Sequence, residues 1–342
     1  ANLAMLFIGI EILSVSLYIL AASNKTNLKS NEAGMKYFLM GSFATGFLLF
    51  GMALIYGVSG TLNTSALAEY VQSNALNLPL MFYVGLLMLM VGLFFKVSAV
   101  PFHFWAPDVY EGSPVLVTSF MATIVKTAAF AAFFRLFSNC FTPILPSWSV
   151  IVISISGITM LAGNILALSQ TSLKRMLAYS GISHAGYMLM AVLTVSTLAA
   201  KALLLYTAAY SVAGLAAFSA INAIAGPDGD VKISNLKGFS KDNKNLAFVI
   251  TVMMLSMAGI PPVAGFFAKY FMFYSAIEQS HIALVVIAVI SSLIGVYYYL
   301  KVVINIYSEG SFQQTVATTG GQRIFFIITL LLTLIQIGRA HV

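Results

Sequence analysis

Charge is scarce in this chain. Only 8% of its 342 residues are Asp, Glu, Lys or Arg, and 60% are hydrophobic. A soluble globular domain has about 25% charged and about 45–50% apolar residues. With a mean hydropathy of +0.95, the composition excludes an ordinary soluble domain and implies an all-α integral membrane protein. Cysteine is nearly absent. The single Cys140 excludes an internal disulfide and a cysteine-based metal or iron–sulfur site. The four histidines are scattered without metal-ligand spacing, and no glycine-rich phosphate loop is present. This chain is therefore expected to bind no redox cofactor and no metal. Its net charge of +7 need not indicate nucleic acid, because membrane proteins gather Lys and Arg in cytoplasmic loops.

What is abundant is long apolar sequence. Ten segments are read as spans, near residues 3–22, 35–58, 78–100, 114–137, 149–169, 174–197, 199–225, 245–275, 280–306 and 323–337, each close to or above the length of about 20 residues needed to cross a bilayer. The side reached after the first span carries ten Lys or Arg, from Lys25 to Arg323. The other side carries Arg135 and Lys201, leaving aside Arg339 in the final segment. This asymmetry orients the first side to the cytoplasm. The chain opens inside a span without an initiator Met, which reads as an N-terminal truncation. The abrupt polar ending IGRAHV, residues 337–342, reads as a non-native tail.

Four charges lie inside these apolar runs. Glu11 is in the first span, Lys96 in the third, Lys126 in the fourth and Lys269 in the eighth. A charge at a helix centre costs about 2.5–3.5 kcal/mol on insertion scales, so such residues normally face a bundle interior or a water-filled path. Lys96 and Lys269 could instead snorkel from helix ends, and a Glu11–Lys pair could be purely structural. Lys126 has only apolar and small hydroxyl neighbours, so snorkelling does not explain it. Desolvation disfavours the charge of a buried ammonium, and a nearby carboxylate restores it. A lysine beside Glu11 would hold its proton while the pair is closed and release it when the pair opens. His184, inside the sixth span, is either a packing histidine or a further relay.

Prolines interrupt two of these spans, in KVSAVPFHFWAP and in SMAGIPPVAGFFAK. Proline removes a helical hydrogen bond and clashes with the preceding turn. Inside a membrane such breaks persist where protein or a water cavity satisfies the backbone. Two broken, lysine-bearing spans, five apart, suggest two inverted repeats. The expected organisation is a first half at 1–137, a second half at 148–306 and an extra C-terminal helix at 323–337. His103, Asp108 and Glu111 read as a solvated loop, and Lys174 and Arg175 as topology determinants. Trp105, Trp148 and the tyrosines near Lys301 read as interfacial aromatics.

The stretch FFKVSAVPFHFWAPDVYEGSPVLVTSFMATIVKTAAFAAFFRLF (94–137) closely resembles the antiporter-like proton-channel subunits of respiratory NADH:quinone oxidoreductase (complex I), the subunit N group in particular. IEILSVSLY, GNILALSQTSLKRMLAYSGISHAGYML and MAGIPPVAGFFAKYF fit the same group. The resemblance covers nearly the whole chain. It implies that Glu11 is the partner of Lys96, that Lys126 hands protons to Lys269, and that His184 lies along the route. Lys269 argues against the subunit M group, which carries a glutamate there. About four helices would precede residue 1. The resemblance further implies a bacterial inner-membrane complex with membrane and peripheral partner subunits that hold FMN and Fe–S clusters and use NADH and quinone. A subunit of a multisubunit cation/proton antiporter, or of a ferredoxin-dependent relative, is the alternative; a non-conducting scaffold is a third.

Overall fold

The computed structural model describes residues 2–226, 229–312, 316 and 318–335. The tail expected at 337–342 lies outside the described residues. Among them there is no strand, only helices joined by short connections. The helices are α1 (Leu3–Ala21), α2 (Leu28–Ser59), α3 (Thr64–Asn74), α4 (Leu80–Val97), α5 (Trp105–Gly112), α6 (Val115–Phe120), α7 (Lys126–Leu136) and α8 (Leu145–Leu168). They continue as α9 (Leu173–Thr194), α10 (Thr197–Ala225), α11 (Phe239–Asp242), α12 (Lys244–Ala258), α13 (Ala264–Glu278), α14 (Ile282–Tyr307) and α15 (Gly320–Ile335). Seven helical runs are long and apolar enough to cross a membrane. One of them, Val115–Leu168, contains two of the ten expected segments, so these runs account for eight. The α12–α13 pair and α15 account for the other two. The chain is a multi-pass membrane protein.

Local chemistry sets the helix ends. Asn2, Asn27, Asn63, Ser172 and Ser196 accept from first-turn amides, supplying partners for donors the helix cannot satisfy itself. Helix α3 falls between apolar segments, where hydropathy gives no signal. Its Asn63 cap and its buried Leu67 and Val71, one turn apart, place it against the bundle.

Both broken spans share one construction. Helix α4 ends at Ser98 in the left-handed region, followed by a cis Val100–Pro101 bond and then α5. Helix α12 ends at Gly259, also left-handed, followed by a cis Pro261–Pro262 bond and then α13. The fourth span has a subtler interruption, a π-helical turn at Met121–Val125 directly before Lys126.

The core divides into two apolar clusters at opposite ends of the helices. On α9, Leu173 to Ile182 belong to one and Ala185 to Leu193 to the other. On α10 the change falls between Tyr210 and Ala213, and on α14 between Ala288 and Tyr298. Both breaks sit on this seam: Ala99 and Trp105 lie in different clusters, as do Val263 and Ala264.

Candidate functional site

The seam is also where the intramembrane charges sit. Lys96 follows Phe95 of one cluster and precedes Val97 of the other. Lys126 follows Val125 of one and lies a turn before Phe130 of the other. His184 falls between Ile182 and Ala185, and Lys269, set among Ala268 and Met272 of one cluster, reaches its amine back to Ala258 of the other. All four are buried, with Lys126 only 3% exposed. Buried lysines of this kind require hydrogen-bond partners, and each has one.

Lys96 donates to Ser14 Oγ at 2.7 Å, and Ser14 Oγ donates to the Ile10 carbonyl at 2.5 Å. Glu11, expected as the direct partner of Lys96, makes no ion pair with it among the described residues. Glu11 is three residues before Ser14, on the same helix face. Its Oε1 is buried without a hydrogen-bond partner. The structure therefore holds acid and amine apart, with a hydroxyl on the amine.

Lys126 donates to the Gly181 carbonyl at 2.6 Å, and its Nζ stands 5.8 Å from the centre of the Tyr210 ring. The glycine opposite it is closely packed. A Cβ on residue 181 would lie 3.2 Å from Lys126 Nζ and 2.9 Å from the Tyr210 hydroxyl. Lys269 donates to the Ala258 carbonyl at 2.8 Å and to Ser292 Oγ at 2.9 Å, with the Tyr187 ring centre at 5.3 Å. The Ala258 carbonyl is at the C-terminal end of α12, where the broken helix leaves acceptors without intrahelical donors. Gly259 at φ 80° makes that end possible, since a Cβ there would meet Lys269 Cδ at 2.8 Å.

His184 lies between these lysines. Its Nδ1 is 2.8 Å from Tyr206 Oη and its Nε2 3.1 Å from Tyr299 Oη, which in turn bonds Ser180. A neutral imidazole donates from one nitrogen and accepts at the other, and hydroxyls do both. The line Tyr206–His184–Tyr299–Ser180 is thus continuous and made of groups that can exchange protons. Beside it, a cavity of about 10 Å³ is lined by His184, Tyr206, Tyr210, Ser256 and Gly265 among others, close to the smallest volume that holds one water. Asn164 ties the adjoining helices together. Its amide donates to Tyr187 Oη and to Ser291, and its Oδ1 accepts from Tyr298 Oη.

The site therefore comprises two patches, Glu11–Ser14–Lys96 and Lys126–His184–Lys269. No direct polar contact joins them among the described residues. Sequence reading missed the tyrosines. Tyr206 and Tyr210 are one turn apart, as are His184 and Tyr187, and that spacing is the signal that shows them on one face. Tyr298 and Tyr299, expected at the interface, are buried and hydrogen-bonded. Trp105 and Trp148 are buried too. Trp105 stacks on Tyr37 and donates to the Phe95 carbonyl at 3.2 Å; Trp148 donates to the Phe141 carbonyl. Each indole found its acceptor at a helix end, which removes the reason to sit at an interface.

One further expectation is corrected, and Lys174 gains a second role. Asp108 and Glu111 are not in a solvated loop but on α5, docked on α2 and α9. Asp108 pairs with Lys36 at 2.8 Å and Arg175 at 2.7 Å, and Glu111 with Lys29 and Arg175, each at 2.9 Å. Burial opposes ionisation of both carboxyls, and the hydrogen bonds from these cations outweigh it, holding both below the usual carboxylate range. Lys174 is fully buried and donates to the Ser113 carbonyl at 2.8 Å, so it fastens the α5–α6 corner besides contributing to charge asymmetry.

This architecture has known counterparts. The sequence profile of the NADH:quinone oxidoreductase/Mrp antiporter transmembrane family matches residues 1–295. NADH-quinone oxidoreductase subunit N of Flavobacterium johnsoniae is 50% identical over 317 residues, 90% of this chain and 67% of that protein. The chain thus spans about two thirds of that relative's length. Among solved structures, a chain of respiratory complex I from Thermus thermophilus is 34% identical with a TM-score of 0.85, over 98% of this chain and 73% of the other. A chain of the Mrp complex from Dietzia sp. is 26% identical with a TM-score of 0.83, over 91% and 57%. The chain belongs to the NADH:quinone oxidoreductase/Mrp antiporter transmembrane family.

Proposed function

We propose that this chain is a proton-translocating membrane subunit of an NADH:quinone oxidoreductase, in which Glu11, Lys96, Lys126, His184 and Lys269 carry the proton. The observation that carries the reading is the coincidence of the Lys96, Lys126 and Lys269 amines, both helix breaks and the π-helical turn with the seam between two apolar clusters. Charge, hydrogen-bonding hydroxyls and unsatisfied helix ends are gathered at one depth, and apolar packing closes the seam off toward both ends. Such a layer suits lateral proton movement between gated openings.

In this reading Lys96 exchanges Ser14 for Glu11 as the first patch switches. Lys126, His184 with its tyrosines, and Lys269 then pass charge through the second half. Carbonyl acceptors such as those of Gly181 and Ala258 position the amines without taking a proton; the imidazole and hydroxyls are the exchanging groups. NADH, FMN, Fe–S clusters and quinone are handled by partner subunits, and electron transfer there supplies the driving force. The two matched breaks support two inverted halves, 1–137 and 148–306, with α15 as the added C-terminal helix. The Lys- and Arg-rich loops lie in the cytoplasm of a bacterium whose inner membrane holds the complex.

The relative at 50% identity bears the subunit N name, whereas the Mrp chain stands at 26%, which favours the oxidoreductase over the antiporter. In membranes carrying the whole complex, Lys126→Ala should abolish NADH-driven proton pumping while leaving NADH oxidation by an artificial acceptor intact. Undiminished pumping would reject the role.

A further inference from the structure

A second site lies away from the seam, at the end of the bundle that carries most of the Lys and Arg. A cleft of about 760 Å³ opens between the N-terminal ends of α12 and α15. Its rim holds Lys241, Lys244 and Arg323 against one carboxylate, Asp242. None of these four makes an ion pair among the described residues, and Arg323 Nε is occupied only by a 3.1 Å bond to Thr318 Oγ1. All three cations are exposed. First-turn residues of both helices line the cleft, so the positive ends of two helix dipoles border it. At the start of α12, the Asn243 Oδ1 accepts from the Val316 amide at 2.8 Å, which joins the two walls.

The inner wall is apolar, formed by Leu246, Val249, Phe326 and Leu330. It continues outward onto Phe248, 54% exposed, and Ile327, 56% exposed. A cationic rim over an apolar groove that runs on along an exposed apolar surface matches one chemistry, an anionic head carrying acyl chains. A free phosphate would leave the groove unused, and a zwitterionic lipid would leave the rim uncompensated. Basic pockets between membrane helices at the positively charged face are where anionic headgroups bind.

We infer that the α12–α15 cleft is a specific binding site for an anionic phospholipid, with its phosphate held by Lys241, Lys244 and Arg323 and its chains along Phe248 and Ile327. The site is independent of the proton route, so its failure would leave that reading untouched. It would lock α15 onto α12, the first half of the broken span whose C-terminal carbonyl holds Lys269.

The test uses the assembled complex in nanodiscs of phosphatidylethanolamine doped with a photoactivatable phosphatidylglycerol, with labelled peptides mapped by mass spectrometry. Labelling is expected on the first turns of α12 and α15. It should fall steeply at limiting probe in the Lys241→Gln/Lys244→Gln/Arg323→Gln variant, since each cation is worth roughly fivefold in affinity and three roughly hundredfold. Lys25→Gln/Lys237→Gln should leave it unchanged. In the unaltered protein, raised salt should weaken labelling, which keeps the test decisive if the triple variant assembles poorly. The inference is overturned by equal labelling from photoactivatable phosphatidylcholine, by full competition from excess inorganic phosphate, or by unchanged labelling in the triple variant. It is equally overturned if neither lipid labels these turns, which would mean that another protein segment covers the cleft.

Discussion

Lys96 and Glu11 are separated, and the Ser14 hydroxyl on α1 takes the Lys96 ammonium at 2.7 Å. A carboxylate with a buried, unpartnered oxygen stands one turn away on the same helix face. In the proposed switch this is the open arrangement, with Glu11 as the alternative partner for the lysine.

Removing the hydroxyl should therefore change the switch without removing either charge. In Ser14→Ala the Lys96 ammonium loses a partner whose absence costs about 1–3 kcal/mol, and contact with Glu11 becomes the better option. NADH-driven pumping should drop by about three- to tenfold, while Ser14→Thr retains it. Equal pumping by all three proteins would show that Ser14 has no part in the switch.

Gly181→Ala should act on Lys126 from the neighbouring helix. The added methyl would lie 3.2 Å from Lys126 Nζ and 2.9 Å from the Tyr210 hydroxyl, so both must shift. Overpacking of this kind costs about 1–3 kcal/mol. Pumping should fall with the complex still assembled. A thermal midpoint and a pumping rate both equal to those of the parent would contradict the close approach.

Asn164→Leu should destabilise without touching any lysine. The change keeps the number of side-chain heavy atoms but adds bulk and strands Tyr187, Tyr298 and Ser291 groups that Asn164 now satisfies. A loss of about 2–4 kcal/mol is expected, read as a lower thermal midpoint of the detergent-solubilised complex. Asn164→Asp keeps the acceptor for Tyr298 and should lose less. A midpoint for Asn164→Leu at or above the parent value would refute the network's contribution.

The α5 docking should be sensitive to acid. Asp108 and Glu111 are both held below the usual carboxylate range. A carboxyl shifted downward stabilises the folded form above its unfolded value, and that contribution is lost as pH falls through the folded value. Amide protection of residues 105–112 should therefore be level from neutrality down to about pH 5 and decline below about pH 4. High salt should reduce it at neutral pH, because the pairs are partly exposed. Protection that is flat across the acid range would place the docking energy elsewhere.

Much of the fold was legible because lipid imposes so few solutions. Runs of apolar residues near spanning length had to be helices, and Lys96, Lys126 and Lys269 within them had to face inward. Pro101 and the Pro261–Pro262 pair marked the breaks because proline cannot continue a helix. Partner identity was not legible in the same way. Whether Lys96 meets Glu11 or Ser14 depends on the rotation of α1 against α4, which no local pattern records. Trp105 and Tyr299 were misplaced at the interface because an indole or phenol is equally content with a buried acceptor. The α5 helix was missed because eight residues with Pro107, Asp108 and Glu111 look like a loop until Arg175 and Lys36 are brought to them.

Coupled proton pumping in membranes that carry Lys126→Ala, compared with Lys126→Arg and the unaltered complex, bears most directly on the seam as a proton route. Loss of pumping in the alanine variant by roughly tenfold or more, with the peripheral NADH dehydrogenase reaction unchanged, is the expected result. Full pumping by Lys126→Ala would contradict it.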